Sequence, residues 1–302
     1  MQTGYFSAAW HDIKNSPGWF GKLVLLSLIS LIPIFGWIVV AGYLYGWARD
    51  IAWNVHSPLP KHIFGNEDGK LYSRGFFVLV IGFVCMLAPW VLEVVWGVVT
   101  GVGTAWSGRS HGGIFLAVGL STTIFSLVIM AAAFFATLFS WVGSMRMSVY
   151  GRLGAGFQFN KIWAMMRHDF GGLVRILGMV ILLSIGIGVI ASILMFFIIL
   201  IGLFVGFMMT GGNMNLQASH PDAAVWGIVA ATSGVVLVLV ALYCVLAMVM
   251  SVFVEMMLVR ALGYWTRQFD VPSWRGQDDP MPFEFAQPPT QQPPYGQPPM
   301  QG

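Results

Sequence analysis

FNKIWAMMRHDFGGLVR, residues 159–175, repeats an earlier stretch of the same chain: residues 6–22 read FSAAWHDIKNSPGWFGK. At a constant offset of 153 residues (6 to 159), Phe6 falls on Phe159, Trp10 on Trp163, Lys14 on Arg167, Gly18 on Gly171 and Lys22 on Arg175. Phe6, Trp10 and Ile13, like Phe159, Trp163 and Met166, recur at i, i+4 and i+7, the spacing of one helical face, and Lys, Arg, His and Asn occupy the other face. Each copy runs straight into a long uncharged segment. The pattern predicts a basic amphipathic helix lying at a membrane surface and feeding a membrane-crossing element, with copies starting near residues 5 and 158.

Composition sets the same class. Of the 302 residues, 57% are hydrophobic and 9% charged, against about 25% charged in a soluble domain. Mean hydropathy is +0.77. Fifteen Lys and Arg against twelve Asp and Glu leave only +3, and the basic residues sit near the ends of apolar runs, so anionic lipid rather than nucleic acid is the expected counter-charge. Cys85 and Cys244 lie inside apolar runs and read as packing residues. The amino-terminal twenty residues carry Asp12 and lack a signal-peptide core, so the first apolar segment is expected to be retained.

The chain therefore reads as all-α, a polytopic membrane helix bundle with four long crossings. These run from about 75 to 100, from 114 to 146, from 176 to 209 and from 225 to 258. Residues 23–48 are uncharged but interrupted by Pro33 and Gly36; they either cross once or fold into a short re-entrant hairpin. Residues 176–209 are one tilted helix or a helix broken near Gly186, Gly188 or Gly202. An integral membrane domain, 1–268, is expected to be followed by a disordered Pro/Gln-rich tail, 269–302, that meets a cytoplasmic protein partner.

If the connections at 101–113 and 210–224 face outward and the amino terminus inward, Arg109 is the one outward basic residue, as the positive-inside bias expects. That places both termini in the cytoplasm, in a multi-pass protein of the cell membrane, and favours the hairpin. Trp90, Trp96, Trp106 and Trp226 then form an outer aromatic belt, and Trp10, Trp19, Trp47, Trp141, Trp163 and Trp265 an inner one.

The succession Gly42-Tyr43, Arg49, Leu59-Pro60 and Gly75, followed by Tyr150-Gly151-Arg152-Leu153-Gly154-Ala155-Gly156-Phe157 leading into Phe159-Asn160-Lys161-Ile162, resembles a family of bacterial and archaeal membrane proteins catalogued as domain of unknown function 4013. The resemblance covers roughly residues 5–267 and departs at Lys61-His62, where an aromatic and acidic residues are expected. It implies a multi-pass membrane protein and supplies no catalytic residues.

Candidate chemistry is sparse. Glu93 is the acidic residue well inside an apolar segment, the place for a proton relay or cation ligand, although its distance from Arg74 also brings it near the outer interface. Glu255, near the inner end of the last crossing, is expected to form an interfacial ion pair with Arg260. His56, His62, Glu67 and Asp68 match no zinc spacing, and no nucleophile elbow, phosphate loop or zincin motif occurs, so no cofactor and no enzymatic activity are expected. Lys14, Lys22, Lys161, Arg167 and Arg175 are the candidate lipid-headgroup contacts. Pairs such as Gly42/Gly46, Gly97/Gly101 and Gly202/Gly206 suit close helix packing within the chain or in a homo-oligomer. The expected role is lipid binding or membrane organisation and scaffolding; the alternative is a transporter or channel for a small solute.

Overall fold

A computed structural model of the chain describes residues 4–65, 68–106, 112–209 and 223–282. Glu67, Arg109, the loop at 210–222 and residues 283–302 lie outside the described residues. Every regular element among the described residues is helical.

Helix α1, Tyr5–Asn15, stops where Pro17 forces Ser16 into an extended conformation, and Gly18 turns the chain through a left-handed φ of 67° into α2, Trp19–Ser30. Pro33 then ends α2, since proline cannot donate the helical hydrogen bond. Ile34, at φ 63°, reverses the chain into α3, Phe35–Ala52. Gly36 permits the reversal: a Cβ there would lie 1.9 Å from the carbonyl oxygen of Ile29. Residues 23–48 are thus a hairpin rather than a crossing, and α3 returns to the face from which α2 left.

Among the described residues four helices are long and apolar enough to cross a membrane: α4, Leu71–Trp106; α5, Gly112–Tyr150; α7, Phe170–Met209; and α8, Ala223–Arg267. They run as two antiparallel hairpins, α4 with α5 and α7 with α8. Of the Gly-rich turn expected at 101–113, residues 101–106 and 112–113 are helical, and 107–111 lie outside the described residues. At the position 153 residues after Pro33 the chain has Gly186, which keeps its backbone donor, and α7 runs unbroken over 40 residues. Of the two alternatives open for 176–209, one tilted helix or a helix broken at a glycine, the structure has the single helix.

The hairpin supplies the axis of the bundle. From Val39 to Ala48 every residue of α3 is buried, because α3 lies between α4 and α8. Glycines set the approach. A Cβ on Gly42 would meet the Leu71 carbonyl oxygen at 2.1 Å, one on Gly75 the Ile38 carbonyl oxygen at 1.8 Å, and one on Gly263 the Ala48 carbonyl oxygen at 2.7 Å. Gly42 therefore serves packing within the chain, whereas Gly97 faces open space.

The charged ends of all four long helices share one face with α1, the connection 53–70, a 3-10 turn at Leu153–Phe157 and the short helix α6, Phe159–His168. We call it the basal face. The chain stays packed past residue 268: Phe269, Val271, Trp274 and Met281 are buried, so residues 269–282, read from sequence as tail, belong to the body. Aromatic anchors, too few to stand out in so polar a segment, hold them there.

Candidate functional site

The two repeat copies form the same helix and dock on the bundle in the same way. Phe6, Ala9 and Ile13 of α1 are buried against α8, and Ile162, Met165 and Met166 of α6 against α5. Part of the apolar face expected to lie in lipid is therefore covered by protein, while Trp10, Phe159 and Trp163 keep an exposed flank. Trp10 meets Phe253 edge-on at 5.9 Å; its counterpart Trp163 stacks on Phe139 at 6.1 Å. Phe139 and Phe253 belong to a second internal repeat, at an offset of 114 residues (139 to 253), which also equates Arg146 with Arg260 and Tyr150 with Tyr264. This spacing, Phe-x6-Arg-x3-Tyr, is legible in the sequence but lies inside apolar helices, away from the amphipathic repeat.

Arg146 and Arg260 are both fully buried, and each guanidinium lies over the Tyr one turn later. Arg260 donates from Nε to the Asp12 carboxylate at 2.8 Å and from an η nitrogen to the Trp47 carbonyl at 2.7 Å, with its charge 4.0 Å above the Trp47 ring. Tyr264 donates to the same Asp12 oxygen at 2.8 Å. This clasp pins α1 to α8 and α3. In the other copy the residue at Asp12's place, 153 positions on, is Met165, whose sulfur lies 4.0 Å from Arg146. Arg146 donates to Gln158 Oε1 at 2.7 Å and to the carbonyls of Ala155 and Gln277 at 3.4 and 3.3 Å, and Trp274 lies beside its charge. This second clasp ties α5 to α6 and to the carboxyl-terminal segment.

The connection 53–70 is fastened down similarly. Ser16 accepts the Leu59 amide at 3.0 Å, Tyr43 donates to Pro60, Trp47 to Ser57 and Lys22 to the Leu59 carbonyl at 2.9 Å. Asp68 bridges Arg49 and Arg74. Partial burial opposes its charge, but Arg74, the Lys70 amide and Arg49 outweigh that and hold its carboxyl below the usual range. Its carboxylate is thus committed to two arginines. Asp169, the counterpart of Ser16, accepts from the Gly172 amide at 2.9 Å, Gln268 at 3.0 Å and Tyr5 at 3.1 Å. Those donors overcome the penalty of burial and lower its pKa.

The five candidate headgroup contacts divide. Lys14, Arg167 and Arg175 are exposed and without a hydrogen bond or ion pair among the described residues, whereas Lys22 is a tether of the connection. Lys161 is half-buried in a cleft shared with Gln158, Asn160 and Asp278. Trp47 and Trp265, expected in the inner belt, are core residues whose indole nitrogens donate to the Ser57 and Asp169 carbonyls. Glu93 is exposed on the surface of α4, away from the basal face. Glu255 does not pair with Arg260. Side chains five residues apart on a helix of about 3.6 residues per turn point to different faces, and Asp12 fills the arginine's front. Glu255 instead interacts electrostatically with Tyr45, whose hydroxyl lies beside that of the fully buried Ser144.

A family model described as a protein of unknown function (DUF4013) matches residues 25–196. No curated protein and no solved structure matches the chain. More than half of the chain lies within the match, so the protein belongs to that family.

Proposed function

We propose that this DUF4013 protein is a non-enzymatic membrane organiser whose basal face is a cationic platform for anionic lipid. One observation carries the reading: every described Lys and Arg gathers at the basal end of the bundle, and Lys14, Arg167 and Arg175 stand exposed there without a carboxylate partner among the described residues. The positive-inside bias supports a cytoplasmic basal end with both termini inside, and we assign the protein to the cell membrane. Clasped to the bundle, α1 and α6 hold their cations in place relative to the headgroups, so little ordering entropy opposes binding. The last described segment, up to residue 282, packs on the same face, and the Pro/Gln-rich residues that follow it in sequence, 283–302, are assigned to a cytoplasmic partner.

The test uses the full chain in nanodiscs of mixed phosphatidylglycerol and phosphatidylcholine, with the motionally restricted fraction of a spin-labelled phosphatidylglycerol as readout. Lys14→Glu with Arg167→Glu should bring that fraction below half of its parent value, since two lost cations at about 1 kcal/mol each weaken attraction about thirtyfold. An unchanged fraction removes the reading. A transporter or channel for a small solute is the second reading, favoured by Glu255 and Ser144 beside Tyr45 inside the bundle; proteoliposome flux abolished by Glu255→Gln would put it first.

A further inference from the structure

Resting on the lipid-platform reading, we infer that one groove on the basal face is a discrete site for the headgroup and first acyl carbons of an anionic phospholipid. The groove, of about 1020 Å³, opens between the first turns of α1, the start of α7 and the end of α8. Arg175 and Arg267 line it together with the polar Ser7 and Asn54 and the apolar Ile176 and Met179.

Three features select this occupant. The first is uncompensated charge. Arg175 has no hydrogen bond or ion pair among the described residues, and Arg267 meets only neutral acceptors there, Asn54 Oδ1 and, at 3.3 Å, His56 Nε2. The two carboxylates that the groove's own Tyr5, Gln268 and Tyr264 contact are already committed: Asp169 to Tyr5, Gln268 and the Gly172 amide, and Asp12 to Arg260 and Tyr264. Guanidinium groups with spare N–H donors match the oxygens of a phosphodiester.

The second feature is depth. Arg175 lies in the second turn of the membrane span that begins at Phe170, and Arg267 ends the span of α8, so both reach the headgroup level. Met179, one turn further into the span and exposed, continues the groove with apolar surface where an acyl chain would run. A free anion has no use for that wall.

The third feature is asymmetry between the copies. The corresponding start of α6 opens on a cleft holding Lys161 together with the carboxylate of Asp278. The general platform is shared by both copies; the anion groove belongs to one.

The experiment is calorimetric titration of the full-length protein, in an uncharged detergent, with dihexanoylphosphatidylglycerol. Saturable binding of one lipid per chain is expected, weakened about tenfold or more by Arg175→Gln and unaffected by Lys14→Gln with Arg167→Gln. Arg175 is exposed and bonded to nothing described, so its replacement leaves the fold intact; Arg267→Gln, which loses Asn54 and His56, is read only if its melting temperature matches the parent. Dihexanoylphosphatidylcholine should bind about tenfold more weakly or worse.

Equal binding by Arg175→Gln overturns the site, as does inorganic phosphate binding as tightly as the lipid, which would make it a site for free anions. Losses shared equally between Arg175→Gln and Lys14→Gln/Arg167→Gln overturn the groove but leave the platform standing. Failure of the platform is read separately, from the restricted-lipid fraction in nanodiscs.

Discussion

Asp12 and Met165 occupy the same place in the two copies of the repeat, each facing a buried arginine of the returning helix, yet one is a carboxylate and the other a thioether. Asp12 satisfies Arg260 with charge. Around Arg146 the described partners beside Met165 include backbone carbonyls and a glutamine side chain. The comparison teaches that the repeat preserves the geometry of docking while its electrostatic solution is free to differ. In the amino-terminal copy the ion pair clasps α1 directly to α8; in the other, α6 is held through the turn before it and the segment after α8.

The sharpest way to break this contrast is to make the first copy resemble the second. Asp12→Met strands a fully buried guanidinium and should cost about 3–5 kcal/mol, read as loss of thermal or denaturant stability of the purified protein. Met165→Leu, a volume-conserving change at the equivalent place, should cost less than about 1.5 kcal/mol. Equal costs would mean that Asp12 acts by packing alone.

A smaller effect tests how alike the docked aromatics are. Trp10→Ala removes ring pairs with both Phe253 and Trp19, whereas Trp163→Ala removes its stack on Phe139. Trp10→Ala should therefore be the costlier by about one aromatic pair, ~0.5–1.5 kcal/mol. A reversed order would show that stacking geometry, not the number of pairs, decides.

The smallest difference concerns the joints after the two helices, Ser16 and Asp169, of which only the second titrates. The Asp169 pKa is depressed in the folded protein, so its contribution is present above the ordinary carboxylate value, about 4, and is lost as pH falls through its lowered one. The melting-temperature gap between the parent and Asp169→Asn should be constant at neutral pH and close in acid below that range. A gap that persists there would assign the effect of the substitution to something other than charge.

Much of this was legible in the chain. The helical class, the four crossings and the repeated amphipathic helix follow from hydropathy and from the offset between Phe6 and Phe159, while the basic residues only favour the hairpin over a single crossing at 23–48. The nearness of Glu255 to Arg260 in sequence suggests a pair, but it does not fix facing direction, and the partner Arg260 takes is 248 residues away. Trp47 and Trp265 were misjudged because a tryptophan near the end of an apolar run looks the same whether lipid or protein covers it.

The sequence alone determined what must leave water and which face of each short helix must be covered, because periodicity and charge are local properties. Tertiary structure alone decided what does the covering. It put α3 at the axis, where Gly42, Gly75 and Gly263 let backbones touch; it brought Asp12 to Arg260; and it left Arg175 and Arg267 together on a groove. The physical reason is that burial energy is non-directional, whereas ion pairs and backbone contacts depend on atoms meeting at a few ångströms, and segments far apart in the chain meet only once it is folded.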